Sequence, residues 1–239
     1  MVDEKGAGER SDYNRQLPEN MFWNNEYKSN ERIWGEGPGE LAVAAVRYIK
    51  EHKPDNGPLN ILDIGCGYGR DAFYLLNNIS CRITGVDIAQ NAIDIAADSI
   101  PETQRENVAF HCCNFMELEE ASYDTVFISN LYHLLKKDER EAIEKTVIRT
   151  LKTNGLLFLS ALSVNDPEHH GKGVPIPGET NSFRDKTYIH LFKREELLED
   201  FAFLNVNELY EHEYYEPRAT GETHHHILWI LRGEMVSGS

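Results

Sequence analysis

The sequence predicts an α/β fold in which a doubly wound, mostly parallel sheet carries helices on both faces and ends in an antiparallel pair of strands. Three observations predict it. Short apolar runs alternate with segments of helical periodicity through the middle of the chain. A glycine-rich turn follows the first of these runs, where a strand would give way to a helix. Near residue 160 the alternation ends, and two later segments, 203–211 and 225–231, have the character of adjacent strands.

The individual elements follow from this alternation. Apolar residues at helical spacing predict a helix after Pro38 and another that stops at Asn154. In the second of these helices, Asp138 and Glu141 have the spacing of a capping box at the start. Five apolar runs are predicted as the parallel strands, over residues 61–64, 82–86, 108–112, 125–129 and 156–160. Further helices are predicted at 72–76, 89–97 and 195–201.

The 239 residues fit one α/β domain, because that length can bury a single large core. Residues 1–20 are polar and lack periodicity, which predicts a mobile N-terminal tail, and residues 21–239 are expected to form the domain. Residues 163–189 are rich in Gly, Pro, Asn, Asp and His without an apolar period. We therefore expect a long loop there, either a lid over the substrate or a surface insertion.

Charge and composition narrow the classes of partner. The formal net charge of −16 would repel nucleic-acid phosphates, so we expect no nucleic-acid partner. No apolar run is long enough to cross a bilayer, and the first ten residues are charged and polar, so we expect neither a membrane anchor nor a signal peptide. Four cysteines without a CxxC pair favour a reducing, cytoplasmic location. The sequence leaves both a monomer and a homodimer open.

The strongest local signal is the run over residues 62–70, which reads Leu-Asp-Ile-Gly-Cys-Gly-Tyr-Gly-Arg. Glycines at 65, 67 and 69 let the backbone turn sharply between a strand and a helix and let a ligand approach it closely. A nicotinamide-binding turn would need its third glycine at position 70, which is Arg70. The spacing therefore favours a ligand that combines a nucleoside with an amino acid over a pyrophosphate.

An acid at the end of the next strand strengthens this interpretation. Asp87 lies 22 residues after Gly65, at a position where a carboxylate can accept both hydroxyls of a ribose. The alternative is that Asp87 caps the helix expected to start near Ala89. The two roles would share the same pair of carboxylate oxygens, so a ribose contact would leave little capacity for a cap.

From residue 61 to residue 160 the chain resembles the core of the class I S-adenosylmethionine-dependent methyltransferases, whose fold is Rossmann-like. Asp63 and the three glycines match the first motif of that family, and Asp87 matches its ribose-binding acid. Residues 123–130 match the fourth motif, and residues 151–157 match the entry to strand five. A narrower resemblance is to small-molecule methyltransferases of the tellurite-resistance and thiopurine type. It is carried by Ile33-Trp34-Gly35-Glu36 and by Arg70-Asp71-Ala72.

The resemblance implies that S-adenosylmethionine is the methyl donor and S-adenosylhomocysteine the product. The cofactor is expected beyond the carboxyl ends of the strands, near the point where the strand order reverses. The residues implied around it come from the glycine turn, from the ends of the following strands and from the aromatic N-terminal segment. They are Tyr27, Trp34, Asp63, Gly65, Cys66, Gly67, Gly69, Arg70, Asp87, Ile88, Asn114, Phe115 and Asn130.

Four of these residues have specific expected roles. Asn114 stands where the family usually has an acid, and its amide oxygen could accept from the adenine amino group. Arg70 could bind the cofactor carboxylate in a two-pronged contact, or it could pair with a surface acid. Tyr27 and Trp34 could cover the sulfonium, since aromatic faces stabilise cations, or they could attach the N-terminal segment to the domain.

Methyl transfer from a sulfonium is a direct in-line displacement, so the protein mainly aligns the donor and the acceptor and excludes water. Asn130 and His133 are the predicted catalytic residues, because they follow the fourth strand into the crevice. His133 acts as a base, orients the acceptor, or belongs to the scaffold. We expect a small-molecule acceptor, because the chain leaves no room for a separate recognition domain.

The histidines raise the question of a metal. Neighbouring residues on a strand point to opposite faces, so His224 and His226 would share a face without His225. A metal would need a further ligand, such as His169, His170, His190 or His212. The alternative is that one or two of these histidines line the acceptor pocket under the segment 163–189. We assign no metal site from the sequence.

Two rival functions stay open: a non-catalytic protein that binds S-adenosylmethionine or a metal for regulation, and a protein or RNA methyltransferase.

Overall fold

The computed structural model describes residues 19–30, 32–53, 57–217 and 223–236. The main sheet is formed by β1 (Leu59–Ile64), β2 (Cys81–Asp87), β3 (Val108–Cys112), β4 (Tyr123–Ile128), β5 (Leu151–Leu162), β9 (Leu204–Pro217) and β10 (Thr223–Met235). A separate small sheet is formed by β6 (Val174–Pro175), β7 (Ser182–Arg184) and β8 (Tyr188–His190). The helices are α1 (Glu19–Ser29), α2 (Glu40–His52), α3 (Arg70–Asn78), α4 (Gln90–Asp98), α5 (Lys137–Thr150) and α6 (Arg194–Asp200).

The main sheet has the order β3-β2-β1-β4-β5-β10-β9. Strands β1 to β5 are parallel to one another, whereas β10 runs antiparallel to both β5 and β9. This arrangement confirms the predicted Rossmann-like class, a mostly parallel sheet with an antiparallel pair at the C-terminus. The strand order reverses at β1, which has β2 on one side and β4 on the other. A reversal of this kind opens a crevice at the carboxyl ends of the two strands.

Helices cover both faces of the sheet because the buried strands are apolar on both sides. Successive side chains of a strand point to opposite faces, and Ile61 and Leu62 of β1 accordingly belong to different hydrophobic clusters. The cluster that contains Ile61 includes residues of α2 and α3. The cluster that contains Leu62 includes residues of α5 and α6. The strands are thereby held rigidly, with their carboxyl ends side by side.

The N-terminal segment departs from the sequence prediction. Residues 1–18 of the predicted tail lie outside the described residues, but α1 begins at Glu19, inside the predicted range. The helix packs on the domain through the buried side chains of Phe22 and Tyr27. A helix with only two buried residues carries a weak periodic signal, which explains why the sequence did not reveal it.

The segment 163–189 is also more ordered than a loop. Residues of this segment form the antiparallel strand pairs of the small sheet, with Val174 opposite Arg184 and Phe183 opposite Ile189. The strands are only two or three residues long, too short for a recognisable alternation of apolar and polar residues.

Helix α5 begins one residue before Asp138, at Lys137. The carboxylate of Glu139 accepts from the backbone N–H of Lys136 at 2.8 Å. The predicted capping box of Asp138 and Glu141 is therefore wrong: the observed one, Lys136 and Glu139, begins two residues earlier. The sequence has acids at 138, 139 and 141, so more than one starting residue for the helix was compatible with it. The helix ends at Thr150 and passes directly into β5, so Asn154 lies within the strand and not at the end of the helix.

In the part of the chain that the structure describes, every helix is too short or too polar to cross a bilayer.

Candidate active site

A cavity of about 1090 Å³, part of it open to solvent, lies at the carboxyl ends of β1, β2 and β4. Its lining brings together every residue implied around the cofactor except Gly69. Gly69 instead precedes α3, where an added Cβ would lie 2.8 Å from the ring of Phe110. The shared cavity agrees with the expected location of the cofactor, while the individual contacts with S-adenosylmethionine stay predictions.

The glycine turn is fixed by its backbone conformation. Gly65 and Gly67 both have positive φ, at 77° and 53°, which favours glycine. An added Cβ at Gly65 would lie 2.9 Å from Leu131, and one at Gly67 would lie 2.8 Å from the hydroxyl of Tyr27. The backbone N–H groups of Gly65 and Cys66 both donate to the carbonyl of Val86, at 2.8 and 3.0 Å. The turn therefore lies tightly against β2 and exposes its backbone to the cavity.

Asp87 connects the glycine turn to the start of α4. One of its oxygens accepts from the N–H of Gly67 and the other from the N–H of Ala89, both at 2.9 Å. A carboxylate has about four acceptor positions, so two remain for the hydroxyls of a ribose. The bond to Ala89 is thus compatible with a ribose contact, and that contact stays a prediction. Burial raises the pKa of Asp87, although these backbone donors oppose the rise.

Asp63 lies beneath the turn and is almost completely buried. Its Oδ2 atom has no hydrogen-bond partner among the described residues. Burial, together with the nearby Asp71 and Asp87, raises the pKa of Asp63 well above its usual value. Three carboxyl groups at one end of the cavity make this region attractive to a cation, and S-adenosylmethionine carries a sulfonium and an ammonium group.

Binding of S-adenosylmethionine is expected to release a proton from Asp63. Because the pKa of Asp63 is raised in the free protein, it retains a proton above pH 3.8, where an ordinary aspartate would lose it. A bound cation lowers that pKa, so affinity should increase as pH rises through the window above 3.8. Titration calorimetry at one mildly acidic pH, in two buffers of different ionisation enthalpy, measures the released protons. Identical heats in both buffers, or unchanged proton release in Asp63→Asn, would contradict this assignment.

Arg70 is held in place by the protein itself. Its Nη1 donates to the carbonyl of Trp34 at 2.6 Å, and its Nε donates to Asp71 at 3.1 Å. Asp71 also accepts from the N–H of Gly39 at 2.7 Å. The acid beside Arg70 is therefore a buried one and not the surface acid considered from the sequence. Arg70 links α3 to the aromatic N-terminal segment, and its contact with the cofactor carboxylate stays a prediction.

Asn114 is partly committed to local structure. Its Oδ1 accepts from the N–H of Met116 at 3.0 Å and so caps the short turn Phe115–Glu117. This is the oxygen that was expected to accept from the adenine amino group. An amide oxygen has a second lone pair, so the predicted contact remains compatible with the cap.

The aromatic roof, defined as Trp23, Tyr27 and Trp34, lines the cavity beside the glycine turn. The ring centroid of Trp23 lies 6.5 Å from that of Tyr27 and 6.4 Å from that of Trp34. Two hydrogen bonds attach α1 to α4: the backbone N–H of Asn91 donates to Asn24 Oδ1 at 3.0 Å, and the Asn91 side chain donates to the Asn24 carbonyl at 2.8 Å.

Trp23 was not among the predicted site residues, although it lies one helical turn before Tyr27 on α1. That spacing is the signal that could have found it, since residues four apart share a helix face. Three leucines of the turn after β4, which the sequence did not single out, also line the cavity: Leu131, Leu134 and Leu135.

The two predicted catalytic residues lie in different environments. Asn130 lines the cavity, has a φ of 54° and donates its N–H to Ser160 Oγ at 3.1 Å. His133 is absent from the described lining and is buried in the turn Tyr132–Leu134. The catalytic role of His133 stays a prediction, and the described lining of the cavity does not include it. In a 3₁₀ turn, which has three residues per turn, residues three apart lie on the same side. Leu131 and Leu134 therefore both line the cavity, and His133 lies on a different side of the turn.

Burial lowers the pKa of His133 to about 3, and the nearby His169 adds to this effect while Asp166 opposes it. A neutral imidazole with so low a pKa is a weak base at neutral pH. Its neighbour Tyr132 packs on Phe192 at a ring distance of 5.0 Å and donates to Asp200 at 2.8 Å. This end of the turn is thus part of the core.

The histidines of β10 alternate as expected from a strand. The rings of His224 and His226 lie 6.0 Å apart, whereas His225 stacks on Tyr215 and pairs with Glu213. His226 lies close to His169, as the sequence allowed, and to Asp166, which the sequence did not single out. These three side chains are the described group that could hold a metal ion.

The fold and this cavity define a class of protein. A doubly wound sheet with an antiparallel C-terminal pair, a glycine turn after β1 and a carboxylate at the end of β2 are the features of class I S-adenosylmethionine-dependent methyltransferases. Residues 61–155 match the sequence model of the family described as methyltransferase domain. The chain thus contains a methyltransferase domain over these residues.

Two curated relatives illustrate the range of similarity. A protein of Geobacillus sp. (strain WCH70), whose name assigns it to the methyltransferases, is 30% identical over 142 residues, which are 58% of this chain and 57% of that protein. A tRNA N(3)-methylcytidine methyltransferase of Schizosaccharomyces pombe is 25% identical over 195 residues, which are 76% of this chain and 62% of that protein. The chain thus matches less than two thirds of the length of either relative.

Two solved structures share the fold. The 1,6-didemethyltoxoflavin-N1-methyltransferase of Burkholderia thailandensis, with S-adenosylhomocysteine bound, has a TM-score of 0.65 at 17% identity and covers 99% of this chain and 94% of its own. TehB of Haemophilus influenzae has a TM-score of 0.60 at 17% identity and covers 92% of this chain and 68% of its own. At these identities the likeness concerns the fold.

Proposed function

We propose that this chain transfers the methyl group of S-adenosylmethionine to a small-molecule acceptor by in-line displacement. The observation that carries the proposal is the continuity of one cavity from the glycine turn to the aromatic roof. The predicted cofactor residues and a mainly apolar set of aromatic and leucine side chains therefore share one cavity, which is typical of sites for small organic ligands. A flat, partly apolar acceptor fits this lining.

In this proposal the protein contributes alignment and exclusion of water more than acid–base chemistry. Asn130 is the predicted catalytic residue that borders the cavity, and we assign it the orientation of the acceptor. His133 is retained as a positioning residue, because it supports the turn whose leucines line the cavity. An acceptor that reacts as an anion, such as a thiolate, would need no base.

A reducing, cytoplasmic location forms part of the same proposal. All four cysteines are described, and each is unpaired in the structure. Unpaired thiols are typical of proteins in reducing compartments.

The relative from Schizosaccharomyces pombe, named for a tRNA substrate, favours RNA as the second candidate acceptor. The formal net charge of −16 counts against it, because RNA-binding surfaces are usually basic. An acceptor panel distinguishes the candidates: thiols, hydroxyls, amines and tRNA are each incubated with the protein and S-adenosylmethionine, and S-adenosylhomocysteine is measured. We expect product with a small acceptor and none with tRNA. Product with tRNA alone would favour the RNA enzyme, and binding of the cofactor without any product would favour the regulatory alternative.

Replacement of the half-buried Trp23 by alanine is expected to raise the KM for the acceptor by roughly tenfold, because an aromatic contact contributes up to about 1.5 kcal/mol beyond its area. The affinity for S-adenosylmethionine should change little. Met21 lies on the same helix and is exposed, so Met21→Ala is the matched control. Steady-state kinetics measure the KM and calorimetry the cofactor affinity. If Trp23→Ala weakens only cofactor binding, the roof covers the cofactor and not the acceptor.

A further inference from the structure

A second group of chemically active side chains lies outside the cofactor cavity. Asp166 and His169 belong to the segment that follows β5, and His226 belongs to β10. Asp166 Oδ1 lies 2.9 Å from His169 Nδ1, and Asp166 Oδ2 lies 3.2 Å from His226 Nδ1. Two imidazoles and one carboxylate, all buried or half-buried, are a donor set that divalent transition metals prefer.

We propose that Asp166, His169 and His226 bind one divalent transition-metal ion, with Zn²⁺ as the expected occupant. This inference does not rest on the proposed methyl transfer. Bonds from zinc to histidine nitrogen and carboxylate oxygen are about 2.0–2.2 Å long, so tetrahedral ligand atoms on one ion lie roughly 3.3–3.6 Å from each other. The separations of 2.9 and 3.2 Å are shorter than this spacing by less than about half an ångström, so small side-chain shifts would admit the ion.

The surroundings of the cluster resemble those of metal ligands in proteins, which are oriented by further hydrogen bonds. Asp166 accepts from the backbone N–H groups of Ile227 at 2.9 Å and of His169 at 2.9 Å. The second ring nitrogen of His226, Nε2, faces a carboxylate oxygen of Glu216 at 3.6 Å. A carboxylate behind a ligating histidine fixes the orientation of the ring and makes it a stronger ligand.

An independent observation comes from His133. This residue is more than nine-tenths buried, and its Nδ1 atom has no hydrogen-bond partner among the described residues. It lies close enough to His169, Asp166 and His226 to interact electrostatically with all three. A buried nitrogen without a partner is unfavourable unless a ligand satisfies it. His133 therefore leaves an unsatisfied buried nitrogen near this group, although the group of three ligand atoms does not itself include it.

The first measurement uses the full chain without a histidine tag. After removal of metals with a chelator, the protein is titrated with Zn²⁺ and, separately, with Co²⁺, whose visible absorption reports its ligands. We expect one equivalent of either ion to bind, with elemental analysis confirming the stoichiometry. If the wild-type protein binds no stoichiometric metal, the cluster is held by hydrogen bonds alone and the proposal is overturned.

Variants then assign the site. His169→Gln and His226→Gln should lose the stoichiometric Co²⁺ absorption, and Glu216→Gln should weaken binding by roughly tenfold to a hundredfold. His170→Gln is the matched control, because His170 follows His169 in the chain but its ring contacts Phe183. Binding of S-adenosylmethionine checks that each variant folds. Full Co²⁺ binding by both cluster variants, or its loss in His170→Gln alone, would place the ion elsewhere and overturn the assignment.

Discussion

Replacement of Asp87 by alanine is expected to weaken the binding of S-adenosylmethionine by about 2 kcal/mol, the typical loss for hydrogen bonds to a charged group. That loss corresponds to a dissociation constant roughly thirty-fold higher. The structure adds a second consequence, because the N–H groups of Gly67 and Ala89 would lose their acceptor. We therefore also expect a lower free energy of unfolding, by about 1–3 kcal/mol for each donor left buried and unsatisfied.

Calorimetry with S-adenosylmethionine and chemical denaturation measure the two effects separately. Asp94→Ala is the matched control, since Asp94 is an exposed acid on the helix that follows Asp87. Asp87→Asn should behave as an intermediate, because an amide retains one acceptor oxygen and gains a donor. Unchanged cofactor affinity in Asp87→Ala would remove Asp87 from the cofactor site and leave it with a purely structural role.

Acidification is expected to destabilise the protein through His133. The pKa of this buried imidazole is lowered from 6.5 to about 3, so below pH 6.5 the unfolded chain takes up a proton that the folded protein does not. The free energy of unfolding should therefore be highest above pH 6.5 and fall as the pH approaches 3. At 1.36 kcal/mol for each unit of pKa difference, the total loss is on the order of 5 kcal/mol.

Urea denaturation at a series of pH values, with a chelator present, measures this dependence. His133→Gln removes the titrating group, so its stability should depend much less on pH in the same range. His111 lies exposed at β3, and His111→Gln should retain the dependence of the wild-type protein. Equal pH profiles for the wild-type protein and His133→Gln would show that the imidazole is accessible to water and protons in the folded state.

The turn after β1 shows what local sequence can predict. Gly65 and Gly67 adopt backbone conformations that favour residues without a side chain, so the conformation is visible in the residue type itself. Asp87 was located by its distance along the chain from Gly65, since a strand, a turn and a helix have nearly fixed lengths. The alternation of strands and helices likewise predicted the sheet, because each element has its own apolar period.

His133 shows where local information ends. Its position after β4 was predicted, but the side on which it lies depends on how the turn Tyr132–Leu134 packs between the cavity and the core. The contact of Asp166 with His226 joins residues 60 positions apart, and that of Asn24 with Asn91 joins residues 67 positions apart. The periodicity of apolar residues over a few helical turns or one strand carries no information about contacts between residues so far apart in the sequence.

The sequence by itself determined the succession of strands and helices along the chain, the glycine turn and the acid that follows it, because these features depend on conformational preferences and spacings within a few tens of residues. Only the tertiary structure decided that α1 contributes to the cavity, that His133 does not line this cavity, and that Asp166 contacts two histidines. The physical reason is that each of these contacts depends on the packing of elements remote in the chain, and the free energy of that packing is distributed over many side chains.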